Sequence, residues 1–453
     1  MKELPVLNSR VALRGKKVLL RLDWNIPIKG TPKEEDLAKI ENSVKTVHDL
    51  QKKGAVVVIL THLGRPVKRE KELSTVRLLP LAEAYLDCPV MFCGEDIFTE
   101  EGRSMVKDSL QASRPGDVLL LENVRFYAGE EKNDKKLSQA YADLADYYVN
   151  DAFAACHRAH SSVAGIPAYL PHFAGSQLTA EVAAAGYLLR RPKKPLVAII
   201  GGAKLSTKIP VVKSLLKVAD HVLIGGAMAH PFLVAQNFKI GKSLMEKQSL
   251  SQAKLLLKNK KIMLPVDFLV ADKINDQVKP KCVPVNQIKA KDMIGDIGTQ
   301  TMRQWSALIN KAQTILWNGP LGVAEYEPFA FGSLLIGRAV AARSKGKAYG
   351  LVGGGDTVPV ALQTGMSQWF DHISMGGGAL LEFIANNGKL PGIEALYRPA
   401  SQSSSASSNK PKRMKISRKV FKLKNQAVKK LKAVKKLNIK SKSKSKTAKS
   451  KKK

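Results

Sequence analysis

Two sets of residues in this chain have the types and spacing to do chemistry, and they occupy different halves. In the first half, short apolar runs end in polar groups: Asp23-Trp24-Asn25, Thr61-His62-Leu63-Gly64-Arg65, Glu122-Asn123-Val124-Arg125, and Asn150-Asp151 leading to His157-Arg158-Ala159-His160. Taken singly, Arg65, Arg125 and Arg158 would each serve a surface salt bridge. Together with His62 they read better as a clamp for a small anion, because guanidinium pairs phosphate and carboxylate oxygens two at a time. His157 and His160 have a spacing that suits a metal, but only Cys156 accompanies them, so structural or phosphate-facing histidines are the better reading.

In the second half the apolar runs end in glycine: Gly201-Gly202-Ala203-Lys204, Gly225-Gly226, Asn318-Gly319-Pro320, Gly353-Gly354-Gly355-Asp356-Thr357 and Met375-Gly376-Gly377-Gly378. Glycine at a strand-to-helix turn lets backbone N–H groups approach phosphate oxygens, and the helix N-terminus adds partial positive charge. One such pair would only permit tight packing; repeated turns point to a polyphosphate. Neither GxxxxGK[ST] nor GxGxxG occurs, which excludes a P-loop and a dinucleotide fingerprint. Lys204 and Lys208 lie four apart, so a helix entered through Gly201-Gly202 would project both toward one site. Asp356 suits either the cap of the next helix or Mg²⁺ carried on nucleotide phosphates.

The combination implies phosphoryl transfer between a nucleotide on the glycine half and a small anion on the arginine half. No base dyad, protein-kinase catalytic loop or Ser-His-Asp set is evident. A carboxylate acceptor needs none, since it arrives deprotonated. Catalysis then rests on positioning and on neutralising charge over the transferred group. Two lobes must approach each other, so hinge closure is expected.

The elements that must position these groups are short runs apolar on both faces, at 18–22, 56–60, 118–121 and 147–149, then at 196–200, 221–224, 261–264, 314–317, 348–352 and 372–374. Such runs predict buried parallel strands, and the helical-period segments between them predict crossovers. The fold class is therefore α/β: two doubly wound parallel-sheet domains joined by a hinge helix near 176–190, with a disordered or helical basic tail. The expected domains are 1–173, joined by a returning segment 385–400; 174–384, including the hinge helix; and the tail 401–453. In such sheets ligands bind beyond the carboxyl ends of the strands, where both residue sets lie.

The whole chain has 453 residues, with 74 Lys plus Arg against 38 Asp plus Glu, a net charge of +36. The 44% hydrophobic content excludes a wholly disordered chain. Residues 401–453 carry 21 basic and no acidic residues, leaving +15 for residues 1–400. Cys88, Cys93, Cys156 and Cys282 show no CxxC spacing and read as reduced structural thiols. Residues 1–14 lack a secretory apolar region, and no stretch of about 18 apolar residues would span a membrane, so a cytoplasmic protein is expected.

Along nearly all of residues 8–399 the sequence resembles phosphoglycerate kinases. The matching stretches run from Arg21-Leu-Asp23-Trp-Asn25-Ile-Pro27, His62-Leu-Gly-Arg65-Pro66, Leu121-Glu-Asn-Val-Arg125-Phe126 and Gly129-Glu-Glu-Lys-Asn-Asp134 to Val149-Asn-Asp-Ala-Phe153 and His157-Arg-Ala-His160. They continue through Gly201-Gly-Ala-Lys204, Leu264-Pro-Val-Asp267, Trp317-Asn-Gly-Pro320, Gly353-Gly-Gly-Asp-Thr357 and Leu390-Pro-Gly-Ile-Glu-Ala-Leu396. The resemblance implies Mg-dependent, reversible phosphoryl transfer between ATP and the carboxylate of 3-phosphoglycerate. By motif position, Asp23, Asn25, Lys39, His62, Arg65, Arg125 and Arg158 would bind phosphoglycerate. Gly201, Lys204, Lys208, Asn318, Glu325, Gly354, Gly355, Asp356 and Thr357 would bind nucleotide, with Glu325 on the ribose and Asp356 on magnesium. Lys39, Lys204, Gly376 and Gly377 would meet the moving phosphoryl, and a monomer is expected.

Three departures from the family pattern bear on rate. Lys39-Ile40 stands where the family has Arg-Ile, keeping the charge but losing the planar fork. Ala154-Ala155-Cys156 replaces Gly-Thr-Ala before His157-Arg158, and Met375 replaces a threonine before Gly376. A second reading rests on Lys39 and the tail: a weakened kinase scaffold that binds nucleic acid. After a Ser-rich linker at 400–412, Ile416, Val420, Leu423, Ala427, Leu431 and Val434 recur at helical spacing. That tail suits nucleic acid, another polyanion or an anionic membrane surface, or is a solvated appendix.

Overall fold

The computed structural model of the chain describes residues 2–8, 11–27, 30 and 32–400. The tail, with the amphipathic reading of its 416–434 segment, lies outside the described residues.

Val56–Leu60 and Leu196–Ile200 are buried at all five positions, so neither strand has a face to offer water, and each must be covered by helices on both sides. Each anchors a six-stranded parallel sheet. The first is built from β1 (Lys17–Arg21), β2 (Val56–Leu60), β3 (Val90–Cys93), β4 (Val118–Leu121), β5 (Tyr147–Asn150) and β6 (His172–Ala174), in the order β3-β4-β2-β1-β5-β6. The second uses β7 (Leu196–Ile200), β8 (His221–Ile224), β9 (Ile262–Met263), β13 (Thr314–Asn318), β14 (Tyr349–Gly353) and β15 (His372–Ser374), in the order β15-β14-β13-β7-β8-β9. Between them in sequence, β10 (Asp267–Ala271), β11 (Lys281–Pro284) and β12 (Met293–Ile297) form a small antiparallel sheet. Both large sheets are thus doubly wound α/β sheets, as the sequence predicts.

Strand order reverses between β1 and β5 in the first sheet and between β7 and β13 in the second. Those are the two crevices where ligands of open α/β sheets bind. Strands β3 and β6 have no counterpart in the sequence reading. They are edge strands with mixed exposure, Met91 being 46% exposed; β3 is a short apolar run of four residues, and β6 has only three.

Helix α1 (Glu34–Lys52) opens with Glu34, Glu35 and Asp36, which suit the positive end of its dipole. It buries Ile40, Val47 and Leu50 against the first sheet and leaves Lys39 one turn from the start. Helix α2 (Ser176–Arg190) joins the halves. Asp151, at the end of β5, accepts Leu178 N–H at 2.8 Å, and Thr46 of α1 meets Ser176 at 2.6 Å, so the start of α2 is pinned to the first half. Its inner face, Leu178, Val182, Ala185 and Leu188, belongs to one apolar core that includes Leu19 and Leu121 of the first sheet and Leu196 and Ile224 of the second.

After helix α3 (Gly378–Ala385) the chain crosses to the first half. Gly392 N–H donates to Cys156 O at 2.9 Å, and His172 Nε2 lies 3.2 Å from Leu396 O. Phe383 of α3 packs edge-on against Phe153, with ring centroids 6.0 Å apart. Phe383→Ala opens a cavity at this joint and is expected to cost about 3–5 kcal/mol. Urea unfolding followed by circular dichroism checks it, and a loss below about 1 kcal/mol would show that the ring is not holding the halves together.

Candidate active site

A cleft of about 1110 Å³ separates the two sheets. Asp23, Asn25, Lys39, His62, Arg65, Arg125 and Arg158 line it from the first half, and Glu325, Gly354, Gly355, Asp356, Gly376 and Gly377 from the second. The two residue sets that sequence places apart therefore face each other.

On the first side the groups hang from the ends of β1, β2, β4 and β5. Asn25 Oδ1 accepts Gly64 N–H at 2.9 Å, which joins the loop after β1 to the one after β2. Lys39 Nζ donates to Asn25 O at 2.8 Å, so the lysine reaches from α1 to the cleft. Arg125 donates to Gly64 O, and its Nε stands 3.8 Å from Glu131. Arg158 Nε meets His157 Nε2 at 3.1 Å, while Arg65 is exposed. So many cations in one wall act on the histidines. Burial first, then Arg21 and Arg125, hold His62 well below its ordinary pKa. Burial first, then Arg125 and Arg21, push His160 down to about 4. Both imidazoles are neutral at pH 7, so they meet a ligand as hydrogen-bond donors and not as charges. Among the described residues no group of three or more His, Cys, Asp or Glu converges.

On the second side one sequence expectation is corrected. Lys204 and Lys208 do not lie on a helix, because the helix after β7 begins at Ile209 with Pro210 in its first turn. Proline lacks the N–H that an interior position must donate and is suited to a helix start. Nor do the two lysines project together. Lys204 is exposed, whereas Lys208 is mostly buried and folds back, its Nζ donating to Gly201 O at 2.6 Å and Asn318 Oδ1 at 2.9 Å. Burial draws Lys208 down to about 8, opposed by Asp356. Asn318 and Thr357 are likewise buried supports: Asn318 Nδ2 donates to Gly353 O at 2.5 Å, and Thr357 Oγ1 accepts Gly319 N–H at 2.6 Å. Gly201, Lys204, Lys208, Asn318 and Thr357 thus do not line the cleft itself.

The glycines are sterically required where the turns are tightest. Gly354 has φ +118°, and a Cβ there would stand 2.6 Å from Asn318 Nδ2. A Cβ on Gly376 would stand 2.5 Å from the Phe153 ring. Asp356 precedes the helix Thr357–Gln363 but makes no side-chain capping bond, and it is exposed in the cleft. That free carboxylate fits a magnesium ion carried on phosphates, an ion that takes one or two protein carboxylates and keeps other oxygens.

Three functional positions escape the sequence reading. Glu181 of α2, 1% exposed, accepts Met375 N–H at 3.0 Å and meets His372 Nε2 at 3.0 Å, which fixes the start of the Gly376–Gly378 loop. Arg21, 1% exposed, lines the floor of the cleft, and Glu130 is buried behind it. A lone arginine ending an apolar strand was the available signal for the first of these. Of the departures, Cys156 is fully buried, with burial pushing its thiol up to about 12, and Met375 contributes its backbone N–H.

The phosphoglycerate kinase family model matches residues 9–387. A phosphoglycerate kinase of Deinococcus radiodurans is 43% identical over 393 residues, covering 86% of this chain and 93% of the relative. One from Thermus thermophilus is 42% identical over 388 residues, covering 84% and 97%. The solved phosphoglycerate kinase of Coxiella burnetii matches with a TM-score of 0.76 at 37% identity, over 87% of this chain and 98% of that one.

The lowered Lys208 gives a titration with a definite sign. An anion at this turn favours the charged ammonium, so above pH 8 the bound form holds a proton that the free form has lost, and affinity falls as pH rises. ADP titrated calorimetrically at pH 9 in two buffers of different ionisation enthalpy is expected to show proton uptake that Lys208→Arg removes. Equal heats in both buffers would exclude contact between Lys208 and the ligand.

Proposed function

The chain belongs to the phosphoglycerate kinase family, and from that premise we propose how its cleft divides the work. The enzyme is a phosphotransferase acting between ATP and the carboxylate of 3-phosphoglycerate, giving ADP and 1,3-bisphosphoglycerate. The observation that carries the assignment of residues is the shared cleft, with cations on one wall and glycine turns on the other.

Arg65, Arg125 and Arg158, with the neutral donor His62, hold the phosphate end of phosphoglycerate, while Asp23 and Asn25 take its polar middle. Gly354 and Gly355 offer backbone N–H groups to the nucleotide phosphates, with Thr357, Asn318 and Gly201 shaping that turn, and Glu325 takes the ribose. Lys208 leaves Gly201 O and Asn318 Oδ1 to reach a phosphate oxygen, and Lys204 joins it from the exposed side. Asp356 would hold Mg²⁺, which would supply neutralisation of the polyphosphate charge.

The acceptor carboxylate is already ionised, so no residue need remove a proton. Its oxygen forms the new bond to the γ-phosphorus as the bond to the ADP oxygen breaks in line. Lys39 and the N–H groups at Gly376 and Gly377 stabilise the charge spread over the moving group. Closure about α2 brings the walls together and excludes water. Glu181 supports that motion, since it ties α2 to the loop that carries Gly376.

The reverse reading, a lapsed kinase scaffold, gains no support from the cleft. The tail's 21 basic residues and no acid favour a separate affinity for polyanions, nucleic acid first among them. We place the enzyme in the cytoplasm as a monomer. Among the described residues no helix is long and apolar enough to cross a membrane.

A coupled assay of ATP-dependent phosphoglycerate phosphorylation tests the enzyme reading, and no turnover from the full chain or from residues 1–400 would end it. Lys39→Arg restores a planar fork and is expected to raise kcat by about threefold or more; an equal or lower rate would remove Lys39 from the transition state. Salt-sensitive RNA or DNA binding by the full chain is expected to vanish in residues 1–400, and binding that persists there acquits the tail.

A further inference from the structure

From Arg21 at the floor of the cleft back to Glu130 runs a buried series of polar groups that the substrate-binding roles leave unused. Arg21 ends β1 and is 1% exposed. Its Nη2 meets His62 Nδ1 at 3.2 Å, its Nε donates to Ser162 Oγ at 2.9 Å, and its Nη1 donates to Leu22 O. Ser162 in turn donates its hydroxyl to Glu130 Oε1 at 2.5 Å and its backbone N–H to Oε2 at 3.0 Å. Glu130 is wholly buried, and His160 Nδ1 stands 3.8 Å from its Oε1.

The direction of each bond is decided by what the groups can do. A guanidinium has only donors. The His62 nitrogen facing it must therefore be an acceptor, which leaves the ring proton on Nε2. Ser162 spends its hydroxyl proton on Glu130, so its lone pair is free for Arg21 Nε. Glu130 supplies the counter-charge without which a buried guanidinium would be strongly unfavourable. The groups facing His62 are Arg21 from β1, Asp23 from the loop after it, Lys39 from α1, Arg125 from the turn after β4 and His160 from the loop after β5. Asp23 Oδ1, 3.8 Å from Nδ1, is beyond hydrogen-bond length and does not compete with Arg21.

We propose that Glu130, Ser162 and Arg21 form a positioning relay that holds His62 as its neutral Nε2–H tautomer, aiming an uncharged donor at phosphoglycerate. The proposal rests on the reading of His62 as a substrate ligand. Glu130 orients the serine hydroxyl, the hydroxyl holds the guanidinium, and the guanidinium keeps a proton off Nδ1. None of the three need touch the substrate to act. The anion then meets a donor whose charge does not vary with pH, within a wall whose arginines already supply the charge.

The test is nitrogen–proton correlation spectra of the full chain labelled with ¹⁵N-histidine, taken from pH 5.5 to 8. One ring, identified by its loss in His62→Gln, is expected in the Nε2–H form throughout. Ser162→Ala, and separately Glu130→Gln, are expected to convert that ring to a tautomer mixture or a titrating imidazole. The KM for 3-phosphoglycerate should rise about tenfold, the loss of one charge-assisted hydrogen bond, with kcat changed less than about threefold. A charged or Nδ1–H ring in the unaltered chain overturns the tautomer assignment, and an unchanged ring in both variants overturns the relay. If the spectra behave as expected while His62→Gln leaves that KM unaltered, the ligand role of His62 falls and the relay stands.

Discussion

The attachment of one helix governs this molecule. Helix α2 is pinned at its start by Asp151 and Thr46 of the first half, and one turn later Glu181 grips the Met375 N–H and His372 of the second. Both walls of the cleft are thus referred to a single rigid rod. The Asp151 carboxyl is drawn up to about 6 by burial, although it accepts a helix N–H, so the joint is made from a group that water would otherwise claim. A helix fixed to both sheets holds the two walls in one frame.

The walls themselves solve opposite electrostatic problems. The first half must gather Arg21, Arg65, Arg125, Arg158 and Lys39 without flying apart, and it does so by keeping His62 and His160 neutral and by burying Glu130 among them. The second half carries few cations at the cleft and relies on backbone N–H groups, which add no net charge. Half-buried Lys208 is parked on Gly201 O and Asn318 Oδ1. The cleft thus sets fixed dipoles on one side against fixed charges on the other.

Much of this was legible in the sequence because buried parallel strands leave a continuous apolar signature. Residues 56–60, 118–121, 196–200 and 221–224 coincide with β2, β4, β7 and β8, while 372–374 coincides with β15 without an apolar run of its own. The residues just after such a strand must lie at the sheet's carboxyl edge, which is why the cleft-lining groups could be named from strand ends alone. The edge strands β3 and β6 were missed: Val90–Cys93 is apolar but only four residues long, and His172–Ala174 offers three residues of which one is buried. So was the folding back of Lys208, which depends on Asn318, 110 residues away. Glu181 reads as one more charge on an amphipathic helix, and only the arrival of β15 beside it makes it a buried anchor.

The crossing of the last segment to the first half has a consequence for the order of synthesis. Gly392 fits against Cys156 and Val163 with no room for a side chain, and Tyr397 donates its hydroxyl to Lys2 O at 2.7 Å, so the chain's two described ends meet on the same domain. Translation delivers the first sheet early, yet its final cover arrives only after the second domain has been made. The half that is born first is completed last. A ribosome that stalls anywhere between the two leaves the arginine-lined wall beside an unfilled groove, and a chain cut short before residue 390 lacks the cover of the domain farthest from the cut.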